Sequence, residues 1–189
     1  MKTITEDKKK VAEPHLLQPE VTRGLVEHLK LTALLGRFPE RPVWAVFMFI
    51  NGFITIGILA GIAMISHTPF VFPSLGPTAF LFFFTPTLPT ASPRNTIFGH
   101  AIGIACGFFA LWSCGLLDTP PAIQVGVDGH RVLAAALSLS LTGGLMILLK
   151  SAHPPAGATT LIISLGIVRK PFFMLMPMVM VTALRQAQF

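Results

Sequence analysis

Three uncharged apolar runs, Val43–Ile65, Thr96–Leu117 and Val132–Leu149, limit what this chain can fold into more than any other feature. A helix of about 20 residues crosses roughly 30 Å of hydrocarbon, and each run is close to that length or beyond it. None contains Asp, Glu, Lys or Arg. Of the 189 residues, 52% are hydrophobic and only 12% charged, more apolar surface than a soluble domain can hide. The expectation is an all-α polytopic membrane protein. Each run also carries small residues four apart: Gly57/Gly61, Gly99/Gly103/Gly107 and Ala136/Ser140/Gly144. That spacing puts them on one helix face, where backbones can approach closely, so they read as packing devices.

Residues 1–42 form a polar tail with one charge run, Lys8-Lys9-Lys10, and the transmembrane part is expected over 43–189. Within the tail, Val21, Leu25, Val26, Leu29 and Leu34 recur at roughly helical spacing among Glu27, Lys30 and Arg37. The pattern predicts an amphipathic helix on the bilayer surface. The polar N-terminus and the long first apolar run do not read as a signal peptide. Cys106 and Cys114 lie two turns apart in one predicted helix, cannot bridge each other, and read as small fillers. Much of the net charge of +6 flanks apolar runs, where it sets orientation and does not call for nucleic acid.

Two short apolar segments, Ser74–Phe84 and Ala156–Ile167, cannot span alone as helices. They read alike: Ser74-Leu75-Gly76-Pro77-Thr78-Ala79 aligns with Pro155-Ala156-Gly157-Ala158-Thr159-Thr160. Each follows a full-length run and a break holding a histidine, His67 or His153, and each precedes a basic turn and another apolar run. We read an internal repeat, about 43–117 and 132–185, each copy with a broken or half helix. The last run, Pro171–Leu184, is short and interrupted by Pro177. Pro73, Pro154 and Pro155 favour extended chain before each half-helix. Pro77 suits the first helical position, and Gly76 and Gly157 suit caps. The N–H groups of Thr78, Ala79, Thr159 and Thr160 are then expected to lack intrahelical partners.

Two topologies compete. In one, the half-helices belong to re-entrant hairpins between four full crossings. In the other, extended chain plus half-helix makes a crossing, giving six crossings and inverted repeats. With a cytoplasmic N-terminus, the six-crossing arrangement puts Arg94, Lys150 and Arg185 inside, so the positive-inside rule prefers it. A bacterial plasma membrane is the expected location.

Inverted repeats with discontinuous helices place a binding site between half-helix N-termini, whose partial positive charge suits an anion. All eight Asp and Glu lie in the tail or in the central loop (Asp118, Asp128), so the intramembrane carboxylate usual in cation pathways is missing. The candidate binding residues are Ser74, Gly76, Thr78, Ala79, Arg94, Asn95, His153, Gly157, Thr159 and Thr160. Arg94 either anchors the interface or attracts an anion at an entrance. His153 abuts the second break and is a candidate for solute contact or proton handling, beside a purely structural role. His100 and His67 read as structural. No spacing fits a metal centre, a nucleophilic triad or a phosphate loop, so neither an enzyme nor a cofactor is expected.

HPP at His153–Pro155 followed by AGATTL resembles the signature of the HPP family of integral membrane proteins, as does PSLGPTAFLFFFTPTLPTASPRNTIFGH over Pro73–His100. The resemblance covers about 37–181. It implies a transporter, since similar members are implicated in nitrite transport, and it implies four spans rather than six. Some relatives carry regulatory CBS domains after the membrane part. The sequence reading is therefore a carrier or channel for a small monovalent anion, nitrite first, in contact with lipid and possible as a homo-oligomer. The alternatives are a channel for neutral small solutes and a non-transporting scaffold.

Overall fold

The computed structural model describes residues 38–67, 73–168 and 170–188. The expected amphipathic helix of the tail lies outside them. The described residues are helical, without strands: α1 (Glu40–Ser66), α2 (Leu75–Phe84), a 3-10 turn (Pro89–Ala91), α3 (Pro93–Ser113), α4 (Ala122–Val125), α5 (Gly129–Leu148), α6 (Ala156–Ser164) and α7 (Pro171–Gln188). Among them α1, α3 and α5 are long and apolar enough to cross a membrane. Their outward faces carry exposed side chains such as Phe49, Phe53, Trp112, Val132 and Ile147, as a lipid-facing surface requires.

Local chemistry sets the helix ends. Ser92 caps α3, accepting from the Asn95 N–H at 3.2 Å, with Pro93 at the first helical position. Asp128 caps α5, accepting from the Arg131 N–H at 2.8 Å. The first long helix of each expected repeat stops at a non-glycine residue with positive φ, His67 (51°) after α1 and Lys150 (50°) just after α5. The half-helices start two residues earlier than their glycines suggest. Ser74 and Pro155 occupy the cap positions, and both already have αR geometry. Pro77 is thus third in its helix, still among the positions whose N–H has no intrahelical partner, so its ring costs no bond.

The two ends of the bundle can be told apart by contacts. At one end, the Phe47 ring near the start of α1 lies 6.3 Å from that of Phe83 near the end of α2. There too Arg185, late in α7, donates to the Pro86 carbonyl at 3.1 Å, and Asn95, early in α3, donates to the Ala152 carbonyl at 3.4 Å. At the opposite end the Ala122 N–H donates to the Leu165 carbonyl at 2.9 Å, beyond the end of α6. Arg131 sits there, 2% exposed, donating to the carbonyls of Ser164 (3.0 Å) and Pro120 (2.8 Å) and to the Thr119 hydroxyl (2.7 Å). Its charge is met by carbonyl dipoles, including the negative end of α6. The stretch from Ala152 to Leu165 therefore runs the length of α3.

The helices pair in a matched way. α1 packs on the short helix α2 and on α7, while α5 packs on the short helix α6 and on α3. The closest approach is between α3 and α6. A Cβ added at Gly99 would lie 2.6 Å from His153 Cβ, at Gly103 2.8 Å from the Ala156 carbonyl oxygen, and at Gly107 2.8 Å from Ile163 Cβ. This glycine face is a packing device, as its spacing suggests. The faces at Gly57/Gly61 and Gly144 have nothing within 4 Å, so they do not pack within the described chain. Cys106 and Cys114 are free thiols, buried and half-buried.

Gly103→Ala puts a methyl group against rigid backbone and is expected to cost about 1–3 kcal/mol, the range for overpacking. Gly57→Ala should be neutral or slightly stabilising. Thermal unfolding of both variants in detergent checks the contrast.

Candidate functional site

The N-termini of α2 and α6 meet on α3. Thr78 is the fourth residue of α2 and Thr159 the fourth of α6, and both are fully buried. His100 of α3 lies between them. Its Nε2 is 3.0 Å from Thr78 Oγ1 and its Nδ1 is 2.8 Å from Thr159 Oγ1. One imidazole thus bridges hydroxyls at the fourth position of two short helices. His100 is the eighth residue of α3, about 10 Å along a helix of about 30 Å, so the bridge lies inside the apolar layer.

His153 completes the cluster. Its ring is 4.8 Å from that of His100, edge to face. Its Nε2 is 3.3 Å from Thr78 Oγ1, and its Nδ1 is 2.8 Å from the Thr90 carbonyl oxygen and 3.4 Å from Thr96 Oγ1. Thr96 and Thr78 are also within reach of carbonyls one turn back, Ser92 at 3.0 Å and Ser74 at 2.9 Å. Both imidazoles and all three threonine side chains Thr78, Thr96 and Thr159 are fully buried. Buried polar groups that bond only to one another specify a single arrangement, and each lost partner is costly.

The other sequence candidates divide. Ser74 and Thr160 are fully buried in the half-helices, and their hydroxyls have no hydrogen-bond partner. Ala79 is buried in α2; Gly76 is exposed. Gly157 is half-buried, with Leu139 Cδ1 3.3 Å from where its Cβ would stand. Asn95 ties the start of α3 to the HPP segment through Ala152. Arg94 is exposed, its guanidinium 5.6 Å from the Phe98 ring centroid, and makes no contact with the histidine cluster. The expected free N–H groups of Thr78, Ala79, Thr159 and Thr160 need correction. These residues stand in the second turn or at its start, where N–H groups bond four residues back. At α6 the N–H groups of Ala156, Gly157 and Ala158 already donate to the carbonyls of His153, Pro154 and Pro155, at 3.0, 2.9 and 3.1 Å. The polar groups offered here are side chains.

His100 belongs to the cluster although sequence reasoning treated it as structural. The signal was present: Thr96 and His100 are four apart and lie one helical step from the close-packing Gly99/Gly103 face. No group of three or more His, Cys, Asp or Glu comes together among the described residues.

A model of the HPP transmembrane region matches residues 39–187. The chain belongs to the HPP family. Two transmembrane proteins of Dictyostelium discoideum are similar to it. One is 33% identical over 118 residues, 60% of this chain and 35% of that protein. The other is 35% identical over 94 residues, 50% of this chain and 30% of that protein. The aligned part of the chain thus covers about a third of each relative. No solved structure matches. This HPP-family chain carries its namesake histidine inside the buried cluster, and the histidine and both prolines supply the carbonyls that cap α6.

Thr159→Val removes the hydroxyl that serves His100 Nδ1 and should destabilise the protein by about 1–3 kcal/mol, the cost of an unpaired buried polar group. Thr159→Ser should recover most of it. Denaturant unfolding in micelles measures both.

Proposed function

We propose that this HPP-family protein is a transporter or channel for a small monovalent inorganic anion, nitrite first, held where α2 and α6 meet. The observation that carries the reading is the bridge of Thr78 and Thr159 by His100, which brings the two half-helix N-termini together on one side chain. Discontinuous helices meeting inside the apolar layer are how many transporters build a solute site. The sign of the solute follows from charge. Helix N-termini favour anions, and all eight acids lie outside the apolar runs. Ser74, Thr78, Thr159, Thr160, His100 and His153 are the proposed contacts, through hydroxyl and imidazole groups. Ala79 and Gly157 flank the approach, Asn95 holds the HPP segment, and exposed Arg94 attracts the anion from outside the cluster.

The six-crossing, inverted arrangement belongs to the same reading. Three features support it: Ala152–Leu165 extends along the whole of α3, α1 and α5 pair crosswise with α7 and α3, and matched left-handed residues follow α1 and α5. Exposed Arg41, Arg94 and Lys150 gather at the end where α1 begins, which supports a cytoplasmic N-terminus. Arg131, buried among carbonyls, drops out of that count.

Purified protein in liposomes should move nitrite faster than empty liposomes, and Gly157→Leu, which presses on Leu139 beside Thr159, should cut the rate at least tenfold in folded protein. No nitrite flux from folded protein overturns the reading, and equal flux of neutral solutes without charge movement favours a neutral channel. Crossing number has its own check. With Cys106 and Cys114 replaced by alanine, single cysteines at Arg94 and Lys170 should label from opposite sides of the membrane; labelling from one side supports the re-entrant arrangement.

A further inference from the structure

The hydrogen positions in the buried cluster are constrained by one fixed acceptor. Thr90 offers His153 Nδ1 a carbonyl oxygen at 2.8 Å, which cannot donate, so Nδ1 carries a proton. In a neutral ring Nε2 is then bare and needs a donor, which the Thr78 hydroxyl at 3.3 Å supplies. Thr78 Oγ1 can in turn accept from His100 Nε2–H at 3.0 Å, leaving His100 Nδ1 to accept from the Thr159 hydroxyl at 2.8 Å. Every donor points the same way along Thr159, His100, Thr78, His153 and Thr90.

The same atoms accommodate one more proton. If His153 Nε2 gains a hydrogen, it donates to Thr78 Oγ1, and the Thr78 hydroxyl turns to the Ser74 carbonyl at 2.9 Å. The second lone pair of Thr78 still accepts from His100. No group in the chain loses its partner, and only one hydroxyl rotates. The Thr78 hydroxyl thus has two alternative acceptors, one for each charge state of His153.

Among the described residues, a positive charge there has no counter-ion. α2 and α6 contain no ionisable residue. On α3, Arg94 is exposed over Phe98 and Cys106 is neutral filler. On α5, Arg131 is engaged at the opposite end with Ser164, and on α7 Arg185 is engaged with Pro86. The rings of His100 and His153 are 4.8 Å apart, so the pair holds one positive charge at a time. The missing counter-charge matches a monovalent anion.

We infer that the anion crosses together with one proton held by the His100–Thr78–His153 chain, so that the pair moves without net charge. The inference rests on the transport reading above. The proton arrives on Thr159 Oγ1 as the hydroxyl proton of Thr159 passes to His100 Nδ1. His100 then passes its Nε2 proton to Thr78, whose own proton passes to His153 Nε2; His100 is left protonated on Nδ1, and the Thr78 hydroxyl then donates to its bare Nε2. Only N–H and O–H bonds change, and one positive charge moves from His100 to His153. Thr78 is the coupling residue because each transfer between the rings goes through its oxygen.

The test uses full-length protein in liposomes, with empty liposomes subtracted. At zero membrane potential, an outside one pH unit more acidic should drive nitrite inward to about tenfold accumulation, the value for one proton per anion. A potential imposed with potassium and valinomycin should leave uptake unchanged. His153→Gln and Thr78→Val should lose accumulation driven by the pH gradient out of proportion to any loss of nitrite flux measured at equal pH, and Thr78→Ser should restore it. Nitrite flux that follows the potential and ignores the pH gradient overturns the proton coupling and leaves the transport reading standing. Gradient-driven accumulation in His153→Gln equal to wild type also overturns it. Absence of any protein-dependent nitrite flux overturns the transport reading itself.

Discussion

The approach of α6 to the glycine face of α3 is the constraint on which the rest of the structure depends. With any side chain at Gly99, the His153 Cβ could not come as near as it does; with one at Gly103, the Ala156 carbonyl could not. Moving α6 outward by the width of a methyl group would stretch the 2.8 Å contact from His100 to Thr159 beyond hydrogen-bonding range. The packing of small residues and the polar cluster are therefore one device. Dispersion between close backbones holds the half-helix in place, and the imidazoles use the registration that results.

The HPP motif works through its backbone as much as through its side chains. Its three carbonyls receive the first three N–H groups of α6, so the half-helix begins inside an apolar layer without unpaired donors. Proline at the second and third positions gives up N–H groups that would themselves need partners. The histidine is turned inward by the Thr90 carbonyl. A single tripeptide thus caps the next helix and supplies a ring to the cluster.

Much of this was legible in the sequence, for identifiable reasons. Uncharged runs of bilayer length give the long helices, because charge cannot be hidden in lipid. Pro154 and Pro155 give the break, because proline forces it. Thr78 and Thr159 stand at matching positions of two short segments, Ser74–Ala79 and Pro155–Thr160, whose likeness is visible in the sequence. The contacts of His100 were not legible, since they depend on how two distant helices register on a third. Nor was the burial of Arg131, which depends on carbonyls brought together from three segments. The start of each half-helix was misplaced by two residues because glycine was read as a cap. Ser74 and Pro155 in fact adopt helical geometry first.

Arg131 has a mechanical consequence. Its guanidinium pins the start of α5, the end of α6 and the loop at Thr119–Pro120 to one another, in a place where water does not compete for the bonds. Parting those segments would strand a bare cation among carbonyls. Around the HPP segment, at the other end of α5 and α6, the ties are individually weaker, a 3.4 Å amide contact and neutral hydroxyl bonds. The pair α5–α6 is thus held at both ends: by the covalent connection through the HPP segment at one, and by a single guanidinium at the other.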